Sequence, residues 1–419
     1  MEENNFRLAI NNATLGKRDV PYIKRIYDTP DNYLESLMDY GCDFHNYNHT
    51  PILIHDGISK KQRTILVPKI EEQIIHHAAT NVLKPIFLKG CYEHTYGAIP
   101  GRGAHNAKYA IEKWIRHDPA HCKFCIKMDI HHFYDSIPHD ILMNKLAEIL
   151  RDDRFLDLLY RIIEVQEHGL PLGFYTSQWL ATWYLFKLDH YIKEQLGAAH
   201  YVRYADDMVI YDSNKRKCHD MMHRIMDYLW DNLGLEMKEN YQVFRFDYLR
   251  NGFHRGRDLD FMGFRFYRNY TALRKSIMFR ISRKAIKLGK KEFISLHDER
   301  QMLSYLGWID CTDTYNMYLQ WVKPYISFGD MKDDTSRYDR DQNEAKRIAQ
   351  LDDMLATIVY GTDEEIEERE NMIRQGLNGD FDVDDEYEND VEWQDDEFIV
   401  PTKPLFDMQP VVYPLFDMR

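Results

Sequence analysis

Apolar positions along the chain follow two rhythms. Ile70, Ile74, Ile75, Ala78, Val82 and Ile86 recur at the period of a helix, so a helix is predicted from Ile70 to Phe87. Trp179, Leu180, Trp183, Tyr184 and Leu188 repeat that rhythm behind the loop Gly169-Leu-Pro-Leu-Gly173-Phe-Tyr-Thr-Ser177-Gln178, with Ser177 as the expected N-cap. Short runs of β-branched and aromatic residues read instead as strands: Lys60 to Pro68, Phe124 to Ile130, and both halves of Tyr201-Val-Arg-Tyr-Ala-Asp-Asp-Met-Val-Ile-Tyr211. Phe261 to Tyr267 reads as a hairpin strand, and Leu229 to Tyr241 as a helix end turning at Gly234. Residues 1–58 are polar and helical in tendency, with Pro21 and Pro30 expected to interrupt the pattern. Glu299 to Tyr325 and Asp330 to Tyr360 also read as helical, the first aromatic and the second charged.

Length and composition add scale. With 419 residues, 44% of them hydrophobic and 14% aromatic, the chain can build two or three packed subdomains around a large core. No charged-then-apolar leader and no apolar run of membrane length is visible, which predicts a soluble, cytoplasmic protein without a membrane partner. Six dispersed cysteines do not make a disulfide framework.

The net charge of −14 is a property of one segment. Asp363 to Glu397 carries 17 acids against Arg369 and Arg374, so everything outside it sums to about +1. Arg245 to Lys291 has 14 Lys and Arg against Asp247, Asp258 and Asp260, with aromatics interleaved. That is the pattern of a surface that tracks phosphates, although a solvated basic face has the same composition.

Candidate chemistry centres on Asp206 and Asp207, adjacent acids at the turn between two predicted strands. Two such charges side by side are costly unless a cation offsets them, and Mg²⁺ prefers oxygen ligands while leaving coordination positions for phosphates. Asp129 ends a buried strand, which is unfavourable for an unpaired acid, so it is the natural third member of the site. Two metals in such a cluster suit in-line phosphoryl displacement. Tyr134 follows five residues on, where a bulky ring can exclude a ribose 2′-hydroxyl or simply pack.

Other features carry less. Lys and Arg on the Lys60–Pro68 strand can grip a triphosphate. Tyr96-Gly-Ala-Ile-Pro-Gly-Arg-Gly-Ala-His105 is a glycine-punctuated loop entering a helix, suited to an approaching phosphate or to an ordinary turn. Cys122-Lys-Phe-Cys125 has no second pair and reads as two buried thiols, and His76 and His77 read as packed or exposed rather than metal-binding.

Asp129 with its aromatic follower, then Gly169 to Gln178, then Tyr204-Ala-Asp-Asp207, in that order, resemble the palm motifs of the reverse transcriptases, and the likeness runs from about Lys60 to Lys291. The resemblance implies an α+β right-hand fold: an N-terminal helical extension (1–58), fingers (59–128), a palm with a βαββαβ-type antiparallel sheet (129–267), and an α-helical thumb (268–360), followed by an acidic tail (361–419). It implies two Mg²⁺ ions, with Mn²⁺ as a substitute, held by Asp129, Ile130, Asp206 and Asp207, the three aspartates being the catalytic set. Lys61 and Arg63 would bind the triphosphate, Tyr134 would select the sugar, Gln178 would reach a base edge or the backbone of a template pair, and Lys238 would stand for the lysine that protonates the leaving pyrophosphate. Phe261 to Phe264, including Gly263, would grip the primer. Arg102, Arg274, Lys275, Arg280, Arg283 and Lys284 would contact nucleic acid.

Within that family the motifs look closest to diversity-generating retroelement enzymes and to defence-associated "unknown group" members, relatives of group II intron and retron enzymes. Ala98 and Ile99 stand where those relatives have Phe-Arg, and Tyr241 stands near where they place the lysine. No segment resembles a nuclease or integrase. The expected function is RNA-directed DNA synthesis on a dedicated non-coding RNA in a bacterial or phage system, in antiphage defence. The alternatives are a diversity-generating enzyme, an untemplated or protein-primed polymerase of abortive-infection type, and an RNA-binding scaffold. Expected partners are the RNA template, a DNA primer and product, and dNTPs. Pro404-Leu-Phe-Asp-Met408, repeated as Pro414-Leu-Phe-Asp-Met418, suggests an accessory protein or self-assembly through the tail.

Overall fold

The computed structural model describes residues 2–47, 49, 51–55 and 62–360. Lys60, Lys61, the acidic run and the repeated Pro-Leu-Phe-Asp-Met motif lie outside the described residues. A compact body extends to Thr335, and in the second unit, which begins at Ser336, residues 336–360 are helical.

The elements in chain order begin with three helices, α1 (Glu3–Thr14), α2 (Pro21–Asp28) and α3 (Asp31–Cys42). An antiparallel pair follows, β1 (Pro51–His55) and β2 (Gln62–Leu66), then α4 (Ile70–Lys89), β3 (Thr95–Tyr96), α5 (Ala104–His117) and β4 (Phe124–Asp129). Helices α6 (Phe133–Ser136), α7 (His139–Ala147), α8 (Asp153–Ile163), α9 (Tyr175–Tyr184) and α10 (Phe186–His190) lead through a π-helical turn, Tyr191–Gln195, to β5 (His200–Tyr204) and β6 (Asp207–Asp212). After α11 (Lys215–Leu233) come β7 (Gln242–Arg245), the hairpin β8 (Tyr248–Arg250) and β9 (Phe253–Arg255), and the three strands β10 (Leu259–Phe261), β11 (Phe264–Phe266) and β12 (Thr271–Leu273). Helices α12 (Lys275–Leu288), α13 (Leu296–Asp310), α14 (Tyr315–Trp321) and α15 (Phe328–Tyr360) complete the described chain.

The central sheet has the order β3-β5-β6-β4-β7, with β3 parallel to β5 and every other pair antiparallel. From β4 to β7 the succession is βαββαβ, the split-βαβ arrangement, with β3 added on the β5 edge. Strand alternation gives the sheet two apolar faces. Ile126, Met128, Tyr201, Met208 and Ile210 join one core with α4 and α7 to α11. Cys125, Val202, Val209 and Tyr211 join the other with α5, β10 to β12 and α12 to α14. Among the described residues no helix is long and apolar enough to cross a membrane.

Local features have physical reasons. Pro21 and Pro30 fall at the interruptions between α1, α2 and α3, as the sequence suggests; Pro21 is the first residue of α2 and Pro30 sits just before α3, where a missing N–H costs nothing. Helix α4 continues to Lys89 with Pro85 inside it. Ser177 is not an N-cap but lies within α9, which begins after Phe174. His76 is buried between aromatic rings, and desolvation pushes its pKa down to about 3, so it packs as a neutral ring. Cys122 and Cys125, read from the sequence as two buried thiols, are both buried and free.

Candidate active site

Three strands bring the acids together. Asp129 is the last residue of β4 and lies directly opposite Asp207, the first of β6. Tyr204 pairs with Asp207, which leaves Ala205 and Asp206 as a two-residue turn. Ala205 has φ +53°, a left-handed conformation that costs about 1 kcal/mol for a residue with a Cβ. Its N–H donates to the Tyr96 carbonyl (3.1 Å) and its carbonyl accepts from Arg203 Nη1 (2.9 Å), so the peptide groups on both sides of Ala205 are held. Gly97 (φ +82°) approaches the same turn, its missing Cβ 3.4 Å from the Ala205 nitrogen. The glycine loop therefore buttresses the acid turn.

Arg203 is the residue that sequence reasoning missed. It is fully buried and forks onto Asp189, Nε to Oδ1 at 2.7 Å and Nη2 to Oδ2 at 2.6 Å. Nη2 also donates to the Thr182 carbonyl, and Tyr201 Oη and Thr95 Oγ1 donate to the same Asp189 carboxylate. An arginine among apolar strand residues three positions before Asp206 was the available signal, because such a charge must find an internal partner.

Burial and like charge both act on the acids. Burial, then Asp129, then Asp207 push Asp206 up to about 7. Asp207 is also raised, by burial and by Asp129, although Lys127, Lys238 and Arg274 oppose the rise. Lys238, expected beside the leaving pyrophosphate, places its ammonium on Asp129 Oδ2, while Asp129 Oδ1 is buried with no partner. The carbonyl of Asp129 accepts from Lys238 N on the β7 side, so strand alternation turns the Ile130 carbonyl toward the edge that carries Asp206. Among the described residues, no three His, Cys, Asp or Glu side chains are gathered closely enough to hold a metal by themselves. Mg²⁺ does not require that, since it takes one or two carboxylates and completes its shell with substrate phosphates and water. An orphaned carboxylate oxygen beside an acid raised by its neighbours fits such an ion.

The remaining walls are set by backbone. Gly169 (φ +77°) packs where a Cβ would stand 2.5 Å from the Tyr134 carbonyl, and Leu170 N donates to that carbonyl. Gly173 (φ +105°) packs on the Leu66 carbonyl, and Leu66 N donates to the Leu172 carbonyl (2.8 Å). One loop thus ties β2 to the segment that carries Tyr134. Gly169→Ala is expected to cost about 1–3 kcal/mol, read by urea unfolding, because both φ and the Tyr134 backbone oppose a side chain. Tyr134 is half-buried; burial and Asp206 push its phenol up to about 12 against the opposing effect of Arg63, so the ring lies within electrostatic reach of both. Arg63 is exposed on β2, and Gln178 is exposed on α9.

The model for the reverse transcriptase (RNA-dependent DNA polymerase) family matches residues 54–266, just over half of the chain. This chain belongs to the reverse transcriptase family. It is similar to the group II intron-encoded protein LtrA of Lactococcus lactis subsp. cremoris, 26% identical over 144 residues, which are 32% of this chain and 23% of that one. It is also similar to the Retron Ec73 reverse transcriptase of Escherichia coli, 25% over 211 residues (45% and 62%), and to the 91 kDa protein in the cob intron of Schizosaccharomyces pombe, 28% over 179 residues (40% and 21%). The chain spans less than two thirds of the length of each of these relatives. Among solved structures, apo telomerase from Candida tropicalis aligns with a TM-score of 0.45 and 12% identity, over 62% of this chain and 52% of that one.

In this reverse transcriptase family member part of the basic segment is paired internally. Arg265 forks onto Asp258, Arg274 pairs with Asp260, and Lys284 and Lys291 share Asp298, whose carboxyl they hold well below its usual range. Arg102 donates to the Tyr92 carbonyl and bridges to Cys91 Sγ, so it braces its own loop. Phe261, expected at a primer, is buried, and so is Gly263; the β10–β11 turn holds Met262 and Gly263 at positive φ. A Cβ on Gly263 would press on Ile277 and Trp308. Lys275 and Arg283 are exposed on α12 and Arg280 is half-buried there, with Arg283 lying 6.0 Å over the Phe279 ring.

Proposed function

We propose that the chain is an RNA-directed DNA polymerase that extends a primer 3′ end with deoxynucleotides along an RNA template. The observation that carries the reading is the meeting of Asp129, Asp206 and Asp207 at one end of the sheet, with Asp206 raised to about 7, in a chain of the reverse transcriptase family. In the reaction the 3′-hydroxyl oxygen bonds to the α-phosphorus while the bridging bond to the β-phosphate breaks, and that electron pair leaves with pyrophosphate. Two Mg²⁺ ions bound there would favour the ionised hydroxyl and offset charge on the leaving oxygen. Asp129, Asp206 and the Ile130 carbonyl would hold them, with Asp207 supporting.

In this reading the fingers take residues 59–128 with β2, α4 and α5, the palm takes 129–267 from Asp129 through β5 to β11, and the thumb takes 268–360 with α12 to α15. Arg63 would bind the triphosphate, a role the resemblance also gives to Lys61, outside the described residues, and Gln178 would meet the template pair. Tyr134 selects the sugar, supported by its half-buried ring near Asp206. Tyr134→Ala is accordingly expected to raise ribonucleotide use relative to deoxyribonucleotide use roughly 10–100-fold in primer extension.

The template is a dedicated non-coding RNA and the purpose antiphage defence; the likeness of the Gly101 to His105 loop and of the Leu172-Gly173 to Gln178 segment is shared by diversity-generating and defence-associated members, and the long acidic stretch Asp363 to Glu397, unlike the compact diversity-generating enzymes, favours defence. Incubating the protein with dNTPs, Mg²⁺ and primed RNA, then sequencing the product, tests the activity. A DNA copy of the RNA is expected; DNA whose sequence ignores the RNA would move the protein to the untemplated class, and no DNA would remove the reading.

A further inference from the structure

The hairpin β8–β9 is not absorbed by the function proposed above. Its sequence, Tyr248-Leu-Arg-Asn-Gly-Phe-His-Arg255, turns at Asn251 (φ +53°) and Gly252 (φ +75°), the two left-handed residues of a tight type I′ turn. Tyr248 pairs with Arg255 and Arg250 with Phe253. Strand alternation therefore puts these four side chains on one face and leaves Leu249 and His254 for the other. Phe253 is 69% exposed, and with Asn251 the four line a cleft of about 380 Å³, room enough for a nucleobase.

The base of the hairpin is fixed. His254 Nδ1 donates to the buried Asp247 carboxylate, which also accepts from Arg268 N. Arg268 in turn reaches the carbonyls of Asp247 and Cys122. Gly256 (φ +85°) lets the return strand pass within 2.7 Å, at its would-be Cβ, of the Phe246 carbonyl. The acids flanking the hairpin are thus used internally, Asp247 here and Asp258 by Arg265. Among the described residues Arg250 and Arg255 have no carboxylate partner, and Arg245 adds a third guanidinium over the Tyr248 ring, 5.1 Å away.

A rigid ribbon whose one face alternates aromatic rings with guanidinium groups, with no acid to oppose them, matches one chemistry. Rings stack on bases of any sequence and guanidinium groups take the phosphates between them. We propose that the β8–β9 face is a second binding site for single-stranded nucleic acid, separate from the carboxylate site. Arg245, at its root, lies opposite Phe124, at the other end of β4 from Asp129. Five residues of strand make that separation roughly 17 Å, so a strand held here passes the site of synthesis without occupying it. The inference stands on the hairpin itself and deepens the polymerase reading by giving the unpaired strand a place to bind.

The test uses the full chain and a fluorescent 20-nucleotide oligouridylate, titrated at several salt concentrations without dNTPs. Tyr248→Leu/Phe253→Leu should weaken binding about 10–100-fold. Arg250→Gln/Arg255→Gln should reduce the slope of log affinity against log salt by about 1.4, two phosphates' worth for a single strand. Extension of a primer by a few nucleotides on a template whose unpaired overhang is only those few nucleotides, too short to reach the hairpin, should be unchanged in both variants. Because the readout is binding, it is independent of whether the chain polymerises. Unchanged affinity and slope would overturn the proposal, and so would normal RNA binding combined with lost self-association, which would make the face a protein contact.

Discussion

Asp206→Asn is expected to cut nucleotide incorporation by roughly 10³-fold, the loss of several kcal/mol of charge stabilisation, while making the metal-free protein harder to unfold at pH 8. The two effects share one cause. Asp206 is buried against Asp129 and Asp207, which is useful only if a cation joins them and is otherwise destabilising. Its folded-state pKa of about 7 lies above its ordinary value of 3.8, so the folded protein binds this proton more tightly than the unfolded chain does. That contribution is complete below pH 4 and declines as pH rises toward 7, at no more than about 1.4 kcal/mol per pH unit. Asparagine has nothing to titrate, so the parent should lose stability relative to the variant across that window. Groups away from the turn titrate alike in both proteins, so the difference between two urea-unfolding series reports Asp206 together with the acids and the Tyr134 phenol it interacts with. Mg²⁺ should raise the melting temperature of the parent at pH 8 and leave the variant nearly unmoved. Incorporation within tenfold of the parent would remove Asp206 from the reaction, and parallel stability curves would remove the buried-charge argument.

How much could be read from the sequence depended on whether a residue's partner was local. The strands around Asp129 and around Asp206 and Asp207 were legible because alternating β-branched and aromatic residues announce a strand, and two acids at a turn announce chemistry. That Asp129 would lie directly opposite Asp207 is a matter of register, which no window of sequence contains. Gly169 and Gly173 read only as a loop, because their contacts are with the backbone of Tyr134 and Leu66, 35 and 107 positions away respectively. Which cations of the basic segment are paired is hidden for the same reason. Charge counting treats Arg265, Arg274 and Lys284 as free cations, whereas the fold gives each an acid seven or fourteen residues distant. Phe261 looked available as an aromatic beside a glycine, but a three-stranded sheet packed on α12 buries it. Helix α1 was visible as a helix yet not as part of the core, although Phe6, Ala9, Ile10 and Ala13 make an apolar stripe that seats on α4, where Asn5 Nδ2 donates to the Ala78 carbonyl.

Arg203 gives the second large prediction, and it separates positioning from chemistry. Truncation by Arg203→Ala leaves the Asp189 carboxylate buried with only two hydroxyl donors and strips the Ala205 carbonyl of its partner, so a loss of about 3–5 kcal/mol in stability is expected from urea unfolding. Such a variant could simply fail to fold. Arg203→Lys is the sharper instrument, because it keeps the charge but not the fork. A single ammonium cannot serve both Asp189 oxygens together with the carbonyls of Thr182 and Ala205, which the guanidinium does from one fixed plane. The contact to Ala205 is the one that should break, since the carboxylate competes better for a lone ammonium. Ala205 would then be free to leave its left-handed conformation, and the Asp206 carboxylate would move with it. A misplacement of about 1 Å at a reacting group is enough for roughly 100-fold in rate, so kcat should fall by that order while the KM for dNTPs changes little, because Arg63 and Tyr134 are untouched. Neutralising the partner instead, with Asp189→Asn, should lower stability without restoring kcat to Arg203→Lys. If Arg203→Lys keeps the parent's kcat, the turn is held by Tyr96 and Gly97 alone, and the buried pair belongs to the stability of the sheet rather than to the aim of Asp206.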